Sequence, residues 1–231
     1  MRSFSIVVAA DRAMGIGKNG GLPWRLRKDM AFFAKITSKV VVAQGVQDAT
    51  TTKTTTTAAG ESTHQRRVNA CIMGRKTWES IPKKFRPLSD RFNVIVSRDP
   101  HYLDDKAEKG NPLVALATSF EAALDLVESL QSPSPSSTSS SIQVARTFLI
   151  GGAQLYNEGV RSKDCTHIFL TRIDATVDCD TFFPEISPAE YQLLPSTQSH
   201  AFLEDYLQES VEGGVIEEGS YQYEYTVYNR I

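Results

Sequence analysis

Short apolar runs and helical stripes alternate along most of this chain. Residues 5–10 (SIVVAA) are almost continuously apolar, the pattern of a strand buried on both faces. Comparable runs recur at 68–73, 92–97, 113–117, 144–150 and 167–173. Between them, helical spacing covers about 26–37, then 75–81, which Pro82 stops, and 153–160. A capping box at Thr118-Ser-Phe-Glu121 predicts a further helix that runs to Leu130. The tail at 221–228 (YQYEYTVY) alternates large and polar residues, which predicts an antiparallel, half-exposed edge. Together these predict one α/β domain over 1–231. Its central sheet is expected to be mainly parallel with an antiparallel C-terminal edge, and helices are expected on both faces. Two stretches lose all periodicity: 47–67 is threonine-rich, and 132–141 (SPSPSSTSSS) is serine and proline. Neither can support a core, and both are expected to be loop insertions.

One helical stripe carries a charge. Leu26, Asp29, Met30 and Phe33 stand at i, i+3, i+4 and i+7, so Asp29 is projected among residues expected to be buried. An unpartnered buried carboxylate is costly or shifts its pKa upward. A structural role accounts for an acid in a first helical turn, where the dipole favours it and Arg25 is a candidate ion-pair partner. The glycine-rich loop before it and the indole of Trp24 beside it favour a ligand site instead. A planar cationic or amidine-like group would suit a carboxylate flanked by Met30 and Phe33.

Several strand ends carry glycines or cations. Gly15-Ile16-Gly17-Lys18-Asn19-Gly20 matches the dinucleotide fingerprint letter for letter, but Gly21-Leu22-Pro23 delays the helix that must meet the pyrophosphate. The loop is therefore read as a flap over a pocket at the carboxyl end of the first strand, where ligands bind in open α/β sheets. Gly74-Arg75-Lys76-Thr77 opens a helix with two cations against its dipole, which makes sense if an anion binds there. Ser97-Arg98 offers a second hydroxyl–guanidinium pair; an arginine at a ribose 2′-phosphate selects NADP over NAD. Solvated arginines explain either pair alone equally well. Ile150-Gly151-Gly152-Ala153 places glycines at a third such turn. Arg91 starts a strand and could hold a carboxylate bidentately, and Thr171 needs a partner inside an apolar strand.

Charge and cysteine content narrow the function classes. A net charge of −2 over 231 residues, with signs mixed, argues against a nucleic-acid binder. Cys71, Cys165 and Cys179 are odd in number and far apart, so neither a disulfide framework nor a metal site is expected. No apolar run has membrane-span length and the N-terminus enters a strand directly. A reduced, soluble, cytoplasmic protein is expected.

The blocks IVVAADRAMGIGKNGGLPWRL, IMGRKTWESIP, RPLSDRFNVIVSR, FLIGGAQLY, FLTRI and DTFFPEI stand in family order. On these the sequence resembles dihydrofolate reductase, of a eukaryotic, fungal-like kind, over nearly the whole chain outside the two insertions and part of the tail. The resemblance implies reduction of 7,8-dihydrofolate by hydride transfer from NADPH. By position it implies Asp29 as the pterin-binding acid, Thr171 bridging to it, and Trp24 positioning an ordered water. Val7, Val8, Leu22, Met30, Phe33, Ile81, Leu88 and Ile150 would wall the folate pocket, and Arg91 would bind the substrate's α-carboxylate. Gly74, Arg75, Lys76, Thr77, Ser97 and Arg98 would hold the adenosine phosphates. Ala9, Ile16, Gly17, Gly20, Gly151, Gly152, Ala153, Gln154, Leu155 and Tyr156 would line the nicotinamide and pyrophosphate site, with a cis peptide at Gly151–Gly152. A monomer that antifolates inhibit competitively is expected. Asp29 departs from the glutamate usual in eukaryote-like surroundings, though the role needs only a carboxylate. No thymidylate synthase domain is expected, because the chain ends too soon. A related pyrimidine reductase of riboflavin synthesis, or a folate- or RNA-binding module without turnover, are the alternatives. The acid on the LPWRLRKDMAFF helix counts against the first, and the Asp29, Trp24 and Thr171 set against the second.

Overall fold

The first strand, β1 (Phe4–Ala10), is buried on both faces: Phe4, Ile6, Val8 and Ala10 pack into one apolar cluster and Val7 into another. Successive strand side chains point to opposite faces, so the two clusters are the two sides of one sheet. The computed structural model describes residues 2–41, 53–56, 62–131 and 142–231. The chain continues through β2 (Gly15–Gly17), α1 (Arg27–Ser38), β3 (Lys53–Thr56), β4 (Ser62–Gly74), α2 (Arg75–Ser80), β5 (Arg91–Val96) and β6 (Val114–Ala117). Then come α3 (Phe120–Gln131), β7 (Ile142–Leu149), α4 (Ala153–Arg161), β8 (Cys165–Ile173) and β9 (Thr181–Phe182). The last elements are β10 (Tyr191–Leu193), α5 (Ser196–Leu207), β11 (Ile216–Glu218) and β12 (Tyr221–Arg230).

Across the sheet the order is β10-β12-β8-β1-β7-β4-β5-β6. From β8 to β6 every pairing is parallel, while β12 runs antiparallel to β8 and β10 antiparallel to β12. Residues of α3 and α4 cover one face, through Phe120, Ala123, Leu124, Val127, Leu155, Tyr156 and Val160. On the other face lie Phe32 and Ile36 of α1, Trp78 of α2, and Leu203 and Leu207 of α5. The architecture is the α/β one that the alternation predicts. The ring of Phe32 stacks on Tyr225 of β12 with centroids 3.9 Å apart. Such a pair adds about 0.5–1.5 kcal/mol beyond area burial and ties α1 to the sheet.

Four local expectations need correction. Strand β4 begins at Ser62, inside the stretch read as aperiodic, and pairs antiparallel with β3 there. Threonine-rich sequence looks like low complexity, yet β-branched residues favour strands. The cap of α3 is Ser119, whose Oγ accepts from Ala122 N at 3.1 Å, and Glu121 instead pairs with Arg2. Strand β12 belongs to the antiparallel C-terminal edge region as expected, but the outermost strand of that region is the short β10, paired with the last residues of β12. In α1 the stripe is displaced at Met30: Leu26 and Asp29 are buried and Phe33 packs on the core as expected, but Phe32 and Ile36 are buried too, while Met30 is 48% exposed.

Candidate active site

Asp29 is the third residue of α1 and is 7% exposed. On β8, Phe169 and Ile173 pack into the cluster beneath α1, so Thr171 between them faces the same way. Its hydroxyl donates to Asp29 Oδ1 at 2.7 Å. Burial pushes the Asp29 carboxyl up from 3.8 to about 6; the Thr171 hydrogen bond lowers it and the charge of Glu218 raises it. Arg25 is exposed and forms no ion pair with Asp29, so of the local structural explanation only the helix dipole remains. The buried indole N–H of Trp24 meets no acceptor among the described residues.

A cavity of about 820 Å³, within the roughly 300–1,000 Å³ usual for ligand sites, opens one strand away from this pair. It lies at the carboxyl ends of β1, β4, β5 and β7 and collects residues that the sequence scatters between Val8 and Thr181. Ala9 comes from β1, and Ile16, Gly17 and Gly20 from the loop after it. Gly74, Arg75, Lys76 and Thr77 follow β4, and Ser97 and Arg98 follow β5. Gly151, Gly152, Ala153, Gln154, Leu155 and Tyr156 follow β7. Val8, Leu22 and Ile150 line the same space, with Leu22 57% exposed. Arg75 pairs with Glu79 at 3.5 Å, whereas Lys76 and Arg98 have no acidic partner among the described residues.

Glycine is required where the backbone forms this wall. Gly151 has φ +117°, and a Cβ there would stand 3.3 Å from the Tyr156 ring. The Gly151–Gly152 peptide is cis, and Gly151 O accepts from Gly74 N at 2.7 Å. The helix that should close a dinucleotide fingerprint at residues 15–20 begins only at Arg27, and no residue of α1 lines the cavity.

The remaining predicted substrate residues lie outside that cavity, on the α1 side of the sheet. Val7, Trp24 and Leu88 are buried in one cluster there, and Phe33 and Ile81 pack against it. Met30 does not join them. Arg91, 6% exposed at the start of β5, donates from Nε to Ser89 O at 2.9 Å and from Nη1 to Thr37 Oγ1 at 2.7 Å. No carboxylate among the described residues pairs with it. Two contacts join the regions. The Tyr156 hydroxyl donates to Val7 O at 2.9 Å, and Thr171 stands directly opposite Ala9 in the β1–β8 register. The acid's partner is thus one strand spacing, about 4.8 Å, from the cavity wall.

Other residues at the site escaped the sequence reading. Thr181 of β9 reaches the cavity by pairing with Gly17. Asp11 is buried and accepts from Ala13 N at 2.9 Å, Gly15 N at 2.7 Å and Val177 N at 2.8 Å. It holds the glycine loop to the segment before β9. An acid immediately after an apolar strand was the available signal.

A cationic, glycine-lined cavity at the strand carboxyl ends, beside a buried acid, defines an α/β enzyme with its ligand site at the usual place in such sheets. The dihydrofolate reductase family model matches residues 3–48 and 63–209. The chain belongs to the dihydrofolate reductase family, a family of oxidoreductases. It is 35% identical to the dihydrofolate reductase of Candida albicans, over 97% of this chain and 95% of that one. The enzyme of the same name from Heliothis virescens is 32% identical over 98% of this chain and 97% of its own length. A bifunctional dihydrofolate reductase-thymidylate synthase of Arabidopsis thaliana is 39% identical over 83% of this chain, which spans only 30% of it.

Proposed function

We propose that this chain reduces 7,8-dihydrofolate to 5,6,7,8-tetrahydrofolate with NADPH. One observation carries the reading: a buried acid hydrogen-bonded to Thr171 stands one strand from a cavity edged by unpaired cations. The residues present fit the cofactor, since glycines admit a close-lying pyrophosphate and Lys76, Thr77, Ser97 and Arg98 offer charge and donors to phosphates. NADPH, when bound, supplies the hydride received at pterin C6. Asp29 holds the 2-amino group and N3 of the pterin, and its carboxylate stabilises the positive charge that grows as N5 gains a proton. Thr171 fixes the orientation of that carboxylate, and the free indole N–H of Trp24 suits an ordered water at the same edge. Val7, Phe33, Ile81 and Leu88 exclude solvent around the ring, and Arg91 receives the substrate's α-carboxylate. Much of the rate gain is orientation of the two reacting carbons in a water-poor site.

NADPH absorbance measured with and without dihydrofolate tests this. Loss only with dihydrofolate is expected, and no loss, or loss with a pyrimidine substrate instead, overturns it. Arg98→Ala is expected to weaken NADPH about tenfold while hardly changing NADH, in keeping with one lost charged hydrogen bond. Equal weakening of both would remove the 2′-phosphate assignment. The reading also takes the protein as a cytoplasmic monomer that antifolates inhibit competitively. Its three free cysteines suit a reducing compartment, and among the described residues no helix is long and apolar enough to cross a membrane.

A further inference from the structure

Helix α1 has no cap of its own. Its N-cap is Leu26, which makes no side-chain capping bond, and its first two residues, Arg27 and Lys28, oppose the helix dipole. The cap arrives from β11. Glu218 accepts from Arg27 N through Oε1 and from Lys28 N through Oε2, the latter at 3.0 Å. Its Oε2 also accepts from the Tyr223 hydroxyl at 3.0 Å, which anchors it to β12. Asp29 is the next residue of the helix after the two that Glu218 grips. The same segment continues along α1: Glu212 pairs with Lys28 at 2.8 Å, and Glu209 with Lys35 at 2.9 Å and with Lys39.

We propose that Glu218 is a positioning residue, locking the first turn of α1 to the β11–β12 hairpin and thereby setting where the Asp29 carboxyl meets Thr171. The inference rests on Asp29 being the pterin-binding acid. Two bonds to consecutive backbone amides fix both the rotation and the height of a helical turn. Asp29 has no comparable tether apart from Thr171. The ionisable and polar groups around Asp29 are Lys28 on its own helix, Thr171 on β8, Glu218 on β11, and Tyr223 and Tyr225 on β12. Among them Glu218 is the negative charge that makes Asp29 harder to ionise. Burial works against that charge, but the two amides, the Tyr223 hydroxyl and Lys28 hold Glu218 below its ordinary range, so it stays ionised where Asp29 titrates.

The test follows the Asp29 carboxyl carbon by NMR in cofactor-free protein across pH 4 to 9, alongside the pH profiles of kcat and KM. In Glu218→Gln, which keeps the size and loses the charge, the Asp29 midpoint is expected to fall by roughly half a unit to one unit. In Glu218→Ala, kcat is expected to fall about tenfold with NADPH affinity unchanged, as for a misplaced reacting group. If Glu218→Ala does not fold, kcat of Glu218→Gln decides, because the amide keeps one of the two acceptor oxygens that hold the Arg27 and Lys28 amides and an unchanged kcat would overturn the proposal. A lowered melting temperature with the Asp29 midpoint and kcat of both variants unmoved would make Glu218 a structural cap only and overturn the proposal. Should the parent protein fail to consume NADPH with dihydrofolate, the proposed function falls, while protection of the Thr171 hydroxyl proton, which reads its bond to Asp29 and is expected to be lost in Glu218→Gln, still judges the tether independently.

Discussion

Asp29→Asn is expected to fold normally and to lose turnover at pH 7 by about 10²–10⁴-fold, the range for a group acting in proton transfer. The substitution keeps the volume of the side chain and leaves Oδ1 to accept from Thr171, so the site's geometry survives. What disappears is the negative charge proposed to face the pterin. Stability supplies an independent check. The carboxyl stands near 6 in the folded protein against an ordinary 3.8, because it is buried. Between those values the folded state binds the proton more tightly than the unfolded state, so this group makes stability fall as pH rises from about 4 to about 6. Above that window the full penalty persists, on the order of 3 kcal/mol for a shift of about two units. Asparagine has no such dependence. The loss of stability between pH 4 and pH 8 is therefore expected to be about 2 kcal/mol smaller in the variant, since at pH 4 the unfolded carboxyl is already partly ionised. Denaturant titrations at both pH values, with turnover at pH 7, measure the two effects. Turnover at the parent rate would end the role given to Asp29, and an unchanged pH difference would end the burial account.

The central sheet was legible because parallel strands buried on both faces are written as continuous apolar runs, as in β1, β5 and β8. Helix α5 was not, because its buried stripe is Ser199, Leu203 and Leu207. A serine in that stripe looks like a break until its partners are seen: Ser199 Oγ donates to Leu194 O and accepts from Val227 N. The pairing of β2 with β9 spans two or three residues on each side, too short for any period to show. At the site, each glycine or cation beyond a strand was visible locally, and their convergence on one cavity follows from parallel strands ending on one side of a sheet. Contacts between residues far apart in sequence were not visible. Glu218 reads as a surface acid in EEGS, and nothing near it in the chain announces that it caps a helix 191 residues earlier. The error at Met30 has a different cause. A helical wheel gives relative angles only, and the absolute rotation of α1 is set by tertiary contacts, the stacking of Phe32 on Tyr225 among them.

Arg91→Leu is expected to raise the KM for dihydrofolate by about 10²-fold while leaving NADPH affinity unchanged. The guanidinium is buried with two neutral acceptors or hydroxyls around it, Ser89 O and Thr37 Oγ1, and without a carboxylate among the described residues. A buried charge is held at a cost unless an opposite charge meets it. The substrate's α-carboxylate would meet it through a two-pronged bond, and charged hydrogen bonds of about 1.5–3 kcal/mol correspond to roughly 10–150-fold in affinity. Leucine fills similar space without the charge, so the fold is expected to hold. Arg91→Lys keeps the charge and loses the fork, and an intermediate KM is expected. The cofactor should not notice either change. Arg91 begins β5 and Arg98 follows its end, seven residues on and roughly 23 Å away at about 3.3 Å per residue. Substrate titrations with dihydrofolate and with a pterin lacking the glutamate tail complete the measurement. The tailless pterin should bind parent and variant alike, and a variant that loses both ligands equally would show that Arg91 shapes the pocket without recognising the tail.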